Sequence, residues 1–281
     1  TRCRRARQLA RPPDKEQMMR KPLYAFSTGA LYPLRSRDAV ALIKEAGFDG
    51  AELMPQSLYD TSARSLMEME CVGLPLTSIH YPLAFFPMLY TSQPDMLLDG
   101  RKYSKQLLNF AADLGAGVLV VHPHTSAKPE HRDLLEQPVI DNLLWLADRC
   151  KDKGILLAME NHPKTCATSA QLRQYINFLN HSNILPMVDT TEVREAGGDP
   201  AAFIRDLPPC HLHLSDFAQD RKHLPPGEGE IDWPGVRDAL GDYQGVYTVE
   251  PSYRYYLEDI PAKLKRDLRF IRQLIEGPRA T

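Results

Sequence analysis

Residues 118–160 read VLVVHPHTSAKPEHRDLLEQPVIDNLLWLADRCKDKGILLAME and contain the unit that is repeated along the chain. The apolar runs at its two ends, 118–122 and 155–160, suit strands that are buried on both faces. Between them, the apolar residues of 139–147 recur at intervals of three and four, which is the period of an amphipathic helix. Gly154 stands just before the second run, where a helix-terminating glycine is expected. The stretch predicts a strand, a helix and a second strand parallel to the first.

The same alternation continues over residues 22–275. The predicted strands are Leu23–Ser27, Gly50–Met54, Leu76–His80, Val118–His122, Ile155–Glu160, Leu185–Asp189, His211–Ser215 and Tyr247–Glu250. The predicted helices cover 36–47, 60–72, 95–114, 133–152, 168–180, 199–206, 233–240 and 255–275. Eight such units in about 260 residues match the size of a closed barrel. A doubly wound open sheet is the alternative, but the sequence lacks the glycine-rich phosphate turn that usually accompanies it. We predict an α/β fold with a single (β/α)8 TIM barrel over residues 21–278.

Composition limits the class of protein. Of the 281 residues, 43% are apolar and 25% are charged, which is the balance of a globular chain and excludes disordered and collagen-like classes. The sequence contains no apolar run of the roughly 18 residues that a membrane-spanning helix needs, so we expect no membrane partner. The net charge of −2 does not call for nucleic acid. A homo-oligomer is compatible with this composition.

The first 20 residues differ from the rest. They hold seven basic residues against two acidic ones, a net charge of +5, which leaves about −7 for the remainder. The segment has no apolar core of the kind found in secretory signals. An organelle transit peptide is one interpretation of its arginine content. We prefer a disordered leader over 1–20 that is separate from the barrel, or a start codon that has been placed too early, with Met18 or Met19 as the true start.

The number and spacing of the five cysteines indicate a reducing cellular compartment. They are scattered and odd in number, and they form no CxxC pair; they are Cys3, Cys71, Cys150, Cys166 and Cys210. A chain of this length does not need disulfides for stability. We therefore interpret them as free thiols and predict a cytoplasmic protein.

Polar residues stand at the ends of most predicted strands. They are Glu52, His80, His122, Glu160, Asp189, His213 and Glu250. In this fold the chemistry lies at the C-terminal ends of the strands, so these side chains should converge on one rim. Crowded carboxylates repel each other and resist ionisation unless a cation is present. With one imidazole, the carboxylates form a mixed oxygen and nitrogen set that suits a divalent metal. His211 lies on the same face as His213, one layer deeper, and we interpret it as a buried, hydrogen-bonded histidine.

The strand-end motifs resemble those of the xylose isomerase-like TIM barrels. This superfamily joins sugar and sugar-phosphate isomerases and epimerases with the family 2 apurinic endonucleases. The resemblance covers residues 23–275, and its most specific parts are AMEN at 158–161, HLHLSD at 211–216, HLPPGEGEIDW at 223–233 and the Glu250–Pro251 pair. The isomerase branch implies one divalent ion, such as Mn, Mg, Co or Zn, held by Glu160, Asp189, His213 and Glu250. In that branch the two glutamates also act as the catalytic acid and base. The resemblance implies no other cofactor.

The endonuclease branch of the superfamily holds three zinc ions with more ligands. His80, His122 and His223 match further histidines of that branch, and Asp220 lies close to the position of an aspartate, although the segment 220–223 is one residue longer here. Where the endonucleases and many epimerases carry a histidine, three residues after the aspartate of the sixth strand, this chain has Glu192. These residues are candidates for additional metal or substrate contacts.

Three functions follow from these observations. The first is an isomerase or epimerase of a sugar, sugar phosphate or related polyol ketone, which moves a proton through a metal-stabilised enediolate. The second is a multi-zinc phosphodiesterase of the apurinic endonuclease type, for which a basic face along DNA is expected. The third is a barrel that binds a ligand without converting it. We favour the first, with a small carbohydrate as partner. The few basic residues near the rim suit one phosphate or substrate group rather than DNA; they are Arg221, Lys222 and Arg254.

The segment 81–90, YPLAFFPMLY, is unusually apolar for a loop. Three roles remain open for it. It can form a wall of the pocket, contact a second subunit, or pack on the top of the barrel. The tyrosines at 253, 255 and 256 raise the same question.

Overall fold

Parallel strands alternate with helices along the chain. The computed structural model describes residues 21–124 and 128–277. The strands are β1 Leu23–Ser27, β2 Gly50–Leu53, β3 Leu76–His80, β4 Val118–Val121, β5 Leu156–Met159, β6 Ile184–Pro186, β7 Val188–Asp189, β8 Leu212–Leu214, β9 Asp216–Ala218, β10 Arg221–Leu224 and β11 Val246–Val249. The helices are α1 Ser36–Ala46, α2 Ala63–Val72, α3 Phe86–Leu89, α4 Pro94–Asp113, α5 Arg132–Leu135, α6 Gln137–Asp152, α7 Ser169–Leu179, α8 Thr190–Glu195, α9 Pro200–Asp206, α10 Trp233–Leu240 and α11 Ile260–Glu276. Short 3-10 turns lie at Thr28–Leu31, Leu58–Thr61, Leu83–Phe85, Pro129–His131 and Tyr253–Tyr255.

The sheet closes on itself through an interrupted strand. Its order is β6-β5-β4-β3-β2-β1-β11-β8-β7, so β6 and β7 stand at the two ends. Only Met187 separates these two strands, and the backbone there bonds to opposite neighbours. Met187 N donates to Met159 O on the β5 side, whereas Val188 N donates to His211 O next to β8. The two ends are therefore halves of one strand, and the predicted (β/α)8 barrel is confirmed.

The two faces of the strands have different surroundings. The large apolar core between strands and helices includes Leu119, Val121, Leu157 and Met159. Their alternate neighbours Val120 and Ala158 form a separate buried cluster with Met187. Because side chains alternate along a strand, this small cluster lies inside the barrel. The same alternation turns the predicted strand-end residues toward the barrel interior and its rim.

Most element boundaries agree with the prediction within one or two residues, but three predicted helices differ. The predicted helix 60–72 begins only at Ala63, because Leu58–Thr61 forms a 3-10 turn and Ser62 caps the helix. The predicted helix 133–152 is divided at Glu136 into α5 and α6, and the predicted helix 255–275 begins only at Ile260. Pro138 and Pro261 stand at the first turns of α6 and α11. A proline ring clashes with the carbonyl four residues earlier, so neither helix can run through its proline. Helices α3 and α8 and the β9–β10 hairpin were not predicted; α3 lies in the segment 81–90 that was interpreted as a loop.

Other features bear on the remaining sequence predictions. The predicted leader at 1–20 and Cys3 lie outside the described residues. Among those described, Cys71 is exposed, Cys210 is half-buried, Cys150 and Cys166 are buried, and none of the four forms a disulfide. Burial raises the pKa of the Cys166 thiol to about 11 and that of Cys210 to about 12. In the described parts of the chain, no helix has the length and hydropathy required to cross a membrane.

Candidate metal and catalytic site

Four side chains meet at the C-terminal rim of the barrel. Glu160 follows β5, Asp189 ends β7, His213 lies in β8 and Glu250 follows β11. One ligand-type atom from each lies within 4.8 Å of those of the other three. Glu160, Asp189 and His213 are buried, and the Glu250 side chain is only 12% exposed. The structure thus brings together the four residues that the isomerase resemblance implied as metal ligands.

The His213 ring lies among three carboxylates. Its Nδ1 is 2.9 Å from Glu160 Oε1 and 2.7 Å from Glu250 Oε2. Burial lowers the pKa of His213, but the surrounding glutamates outweigh it and hold that pKa well above its ordinary value. Conversely, burial raises the pKa of Glu160, whereas His213 and His122 bring it well below its usual range. A positive charge is therefore needed among these carboxylates.

Asp189 is held by both its backbone and its side chain. Asn161 of the AMEN motif exchanges two hydrogen bonds with the Asp189 backbone, at 2.7 and 3.2 Å. Asp189 Oδ1 caps α8 by accepting from Glu192 N at 2.9 Å, and the buried Oδ2 has no hydrogen-bond partner among the residues that the structure describes. Burial and the neighbouring Glu160 raise the pKa of Asp189 to about 8. One oxygen is used by the fold, and the other is left for a ligand.

His80 and His122 form a second group on the far side of Glu160. Their Nε2 atoms lie 3.2 Å apart, and His122 Nε2 is 2.9 Å from Glu160 Oε2. His80 Nδ1 donates to the Tyr81 carbonyl at 2.8 Å, which leaves Nε2 turned toward the site. Burial lowers the pKa of His80, but hydrogen bonding to Glu160 and the charge of Glu250 raise it overall. The two histidines and Glu160 form a further set with metal-ligand spacing.

His223 and Glu192 lie beside Asp189. His223 Nε2 is 3.3 Å from Glu192 Oε1, and its Nδ1 is 3.8 Å from Asp189 Oδ2. Burial lowers the pKa of His223, but Asp189 and Glu192 raise it to about 9. The structure therefore places the predicted Glu192 and His223 at the rim, in contact with each other.

The hairpin that carries His223 is organised by Asp216. This buried carboxylate accepts from Phe217 N, Gly227 N, Ile231 N and the Trp233 indole, at 2.8 to 3.1 Å. Gly227 has φ +84°, and a Cβ on Gly229 would lie 2.3 Å from Asp216 Oδ1. The glycines of the GEGEID segment thus allow the loop to wrap around one carboxylate.

An aromatic wall stands next to the two histidines. Phe86 in α3 lies with its ring centroid 5.1 Å from that of His122 and 6.3 Å from that of His80. Tyr90 stacks on Phe86 at 5.5 Å, while Tyr81 and Leu89 are buried. The segment 81–90 thus both packs on the barrel top and borders the site; its role toward a second subunit remains a prediction. Among the tyrosines after β11, Tyr256 is buried and Tyr253 is partly exposed beside Tyr32.

Four of the candidate residues lie apart from the carboxylate group; they are Asp220, Arg221, Lys222 and Arg254. Asp220 and Arg221 are exposed at the turn between β9 and β10, and no hydrogen bond or ion pair joins them to the described site residues. Lys222 pairs with Glu195. Arg254 is exposed in the 3-10 turn after β11, without an ion pair in the described chain. The structure does not bring these four to the carboxylate group.

Two residues that support the site, Ser27 and Glu52, were not assigned as ligands or catalytic residues from the sequence. Ser27, at the end of β1, donates to Glu250 Oε1 at 3.1 Å. Glu52, at the end of β2, is fully buried against His211 and His213. The sequence feature that could have identified Glu52 as a site residue is its position at the end of a predicted strand. Ser27 holds the corresponding position at the end of the neighbouring strand. His211 makes a buried contact with Glu52, in agreement with its interpretation as a core histidine.

Comparison of the sequence with known proteins gives a family and a relative. The sequence model described as "Xylose isomerase-like TIM barrel" matches residues 40–274. A 2-oxo-tetronate isomerase from Pectobacterium atrosepticum is 27% identical over 174 residues, which is 59% of this chain and 66% of that protein. The match therefore spans slightly less than two thirds of the relative.

Comparison of the structure with solved structures shows the same fold. A D-tagatose 3-epimerase-like protein superimposes with a TM-score of 0.72 at 19% identity, over 90% of this chain and 98% of the other. The 3-keto-D-glucoside 4-epimerase from E. coli gives a TM-score of 0.71 at 20% identity, over 90% and 100%. These likenesses agree with the family model, which covers most of the barrel. The chain belongs to the xylose isomerase-like TIM barrel family.

Proposed function

We propose that the protein is a divalent-metal-dependent isomerase or epimerase of a sugar, sugar phosphate or related polyol ketone. The observation that carries this proposal is the group formed by Glu160, Asp189, His213 and Glu250 at the rim of the barrel. The named activity of its relative, 2-oxo-tetronate isomerase, supports the reaction class. That relative also makes short hydroxylated 2-oxo compounds the first substrates to test. A cytoplasmic location and a homo-oligomeric state remain predictions.

The residues present fit a divalent ion. Asp189 Oδ2 is buried without a hydrogen-bond partner among the described residues, which is costly unless a ligand satisfies it. Three carboxylates and one imidazole are a donor set that Mn, Mg, Co or Zn accepts. When bound, such an ion supplies Lewis-acid stabilisation of the negative charge of an enediolate. Glu160, Asp189, His213 and Glu250 would hold it.

Glu160 and Glu250 are suited to proton transfer. They approach His213 from β5 and β11, which lie on different sides of the barrel, so a flat substrate between them presents one face to each. One carboxylate takes the proton from the carbon beside the carbonyl, and the other returns a proton. Ser27 orients Glu250 through its hydrogen bond to Oε1. The aromatic wall at Phe86 and Tyr90 offers an apolar surface to the substrate carbon chain.

The test is solvent exchange at the substrate carbon. Protein reloaded with each of the four metals is incubated in deuterated water with ketoses, their phosphates and hydroxylated 2-oxo acids. NMR should show deuterium at the carbon beside the carbonyl in the product. E160Q and E250Q should abolish turnover, because an amide cannot accept the proton, whereas E70Q, at an exposed residue of α2, should not change it. Full activity in both single variants with metal bound would refute the two-base mechanism.

A second candidate is a multi-zinc phosphodiesterase. The observation in its favour is the additional set formed by His80, His122 and Glu160. Three zinc ions per chain and cleavage of DNA at abasic sites would favour this function. One exchangeable ion per chain and no DNA cleavage would favour the isomerase.

A further inference from the structure

Glu52 is buried at the centre of a polar cluster below the rim. Its side chain has no exposure to solvent. Oε2 accepts a hydrogen bond from Ser78 Oγ at 2.7 Å and lies 3.0 Å from His211 Nε2. Oε1 lies 2.9 Å from His213 Nε2. The carboxylate thus divides its two oxygens between the barrel interior and the ring of His213.

The two ring nitrogens of His213 also face different groups. Its Nδ1 faces Glu160 and Glu250, and its Nε2 faces Glu52. His213 Nε2 and Glu52 Oε1 are both buried and lie 2.9 Å apart, whereas the hydrogen bond of the ring in this structure joins Nδ1 to Glu160 Oε1 at 2.9 Å. Within residues 21–124 and 128–277, neither atom has a hydrogen-bond partner, so the Nε2–H donor and the Oε1 acceptor can satisfy each other.

A neutral imidazole carries one proton, on either of its two nitrogens. An ionised carboxylate only accepts hydrogen bonds, so it favours the tautomer whose proton points toward it. Without a cation, Nδ1–H can donate to Glu160. A cation held by Glu160, Asp189 and Glu250 would need the lone pair of Nδ1, and the proton would then lie on Nε2, where Glu52 is its acceptor. The other tautomer would place a proton where a metal ion has to bind. Histidine ligands are commonly fixed by such an outer carboxylate.

We propose that Glu52 is a positioning residue for His213, which fixes the ring with Nε2–H toward Glu52 and Nδ1 toward the metal. This inference rests on the proposed function. It assigns to the second strand a role in metal affinity, although no atom of Glu52 is a ligand. Glutamine offers one acceptor oxygen where the carboxylate offers two. In E52Q, either His213 or the Ser78–His211 side therefore faces an amide N–H.

The first experiment is a zinc titration with a chelator as competitor. The variants are E52Q and D267N, because Asp267 is also a fully buried carboxylate but contacts Tyr256 and Arg266 instead of the site. We expect the zinc dissociation constant to rise about 10- to 100-fold in E52Q and to stay within about twofold in D267N, while both variants melt at lower temperature. An unchanged dissociation constant in E52Q would overturn the proposal, and so would an equal loss of affinity in both variants. If the wild type bound no zinc, the metal-dependent function itself would fail.

The second experiment needs no variant and remains decisive if E52Q does not fold. The wild-type protein is labelled with 15N-histidine and loaded with zinc, and the proton-coupled ring nitrogens are assigned by NMR. We expect His213 to carry its proton on Nε2 and zinc on Nδ1. Zinc on Nε2, or a proton on Nδ1, would overturn the role of Glu52 without affecting the proposed reaction.

Discussion

Two of the rim carboxylates, Asp189 and Glu250, each use one oxygen for the fold and turn the other toward the site. Asp189 Oδ1 caps α8, and Glu250 Oε1 accepts from Ser27. Asp189 Oδ2 has no hydrogen-bond partner in the described part of the chain, and Glu250 Oε2 points to His213. This division fixes the side chains before a ligand arrives, so little conformational entropy has to be lost on binding. Changes at single residues should therefore alter affinity more than stability.

Glu192 offers a test of how many metals the rim holds. It occupies the position where the endonuclease branch has a histidine, and it lies 3.3 Å from His223 Nε2. We expect E192H to bind more zinc per chain than the wild type, because a neutral imidazole beside His223 and Asp189 completes a set that zinc favours. Elemental analysis after gel filtration measures the ratio. An unchanged ratio would show that Glu192 does not control a second site.

His124 should make stability depend on pH. Burial lowers its pKa, and Glu136 compensates only in part. When pH falls below the unfolded value of about 6.5, the unfolded chain binds a proton that the folded one refuses, so stability is lost. Urea unfolding of EDTA-treated protein at pH 7.5 and 5.5 should show a smaller loss in H124N than in the wild type. An equal loss in both proteins would contradict this assignment.

At the scale of elements, the contact between α3 and α4 places the aromatic wall. Gly100 lies in α4 where a Cβ would be 2.2 Å from the Met88 carbonyl oxygen of α3. The two backbones therefore approach each other closely only because residue 100 has no side chain. Phe86 in α3 is fixed beside His122 by the same contact.

G100A should disturb both stability and the site. The added methyl group has to push α3 away, and overpacking of this kind costs about 1–3 kcal/mol. G117A is the matched control, since no atom lies within 4 Å of a Cβ there. Urea unfolding should show the loss in G100A alone. In an active preparation, KM should rise in G100A because Phe86 moves. An equal free energy of unfolding in the two variants would contradict this prediction, because it would show that α3 can move away from the added methyl group without loss of stability.

The sequence was sufficient to predict the barrel strands and the longer helices, but not the short elements that connect them. Buried parallel strands produce continuous apolar runs, so their number and order could be predicted. Helix α8 could not, because six residues are too few to show a helical period and its start depends on a cap from Asp189. Glu52 was visible only as one more polar strand end. Its contact with His213 depends on the closure of the barrel, which no local pattern reports.

At the scale of the whole molecule, a bound metal should stabilise the barrel. The candidate ligands come from four different strands, so unfolding separates them. A ligand at 100 times its dissociation constant adds about 2.7 kcal/mol of stability. We expect the Tm to fall after EDTA dialysis and to recover with zinc or manganese. D189N should show a smaller response, because it loses a charged ligand. A Tm that is independent of metal in the wild type would argue against the site.

The pairing of β1 with β11 determines when the barrel can be completed during synthesis. Strand β1 is made first, but its partner β11 is made last, and Ser27 and Glu250 are 223 residues apart in sequence. At typical translation rates, this separation corresponds to a delay on the order of 10 to 40 seconds. Throughout that time the edge of β1 exposes unpaired backbone groups that another strand can join. The nascent chain thus carries an open sheet edge until its last strand emerges, and a ribosome-bound chaperone that covers this edge would limit aggregation.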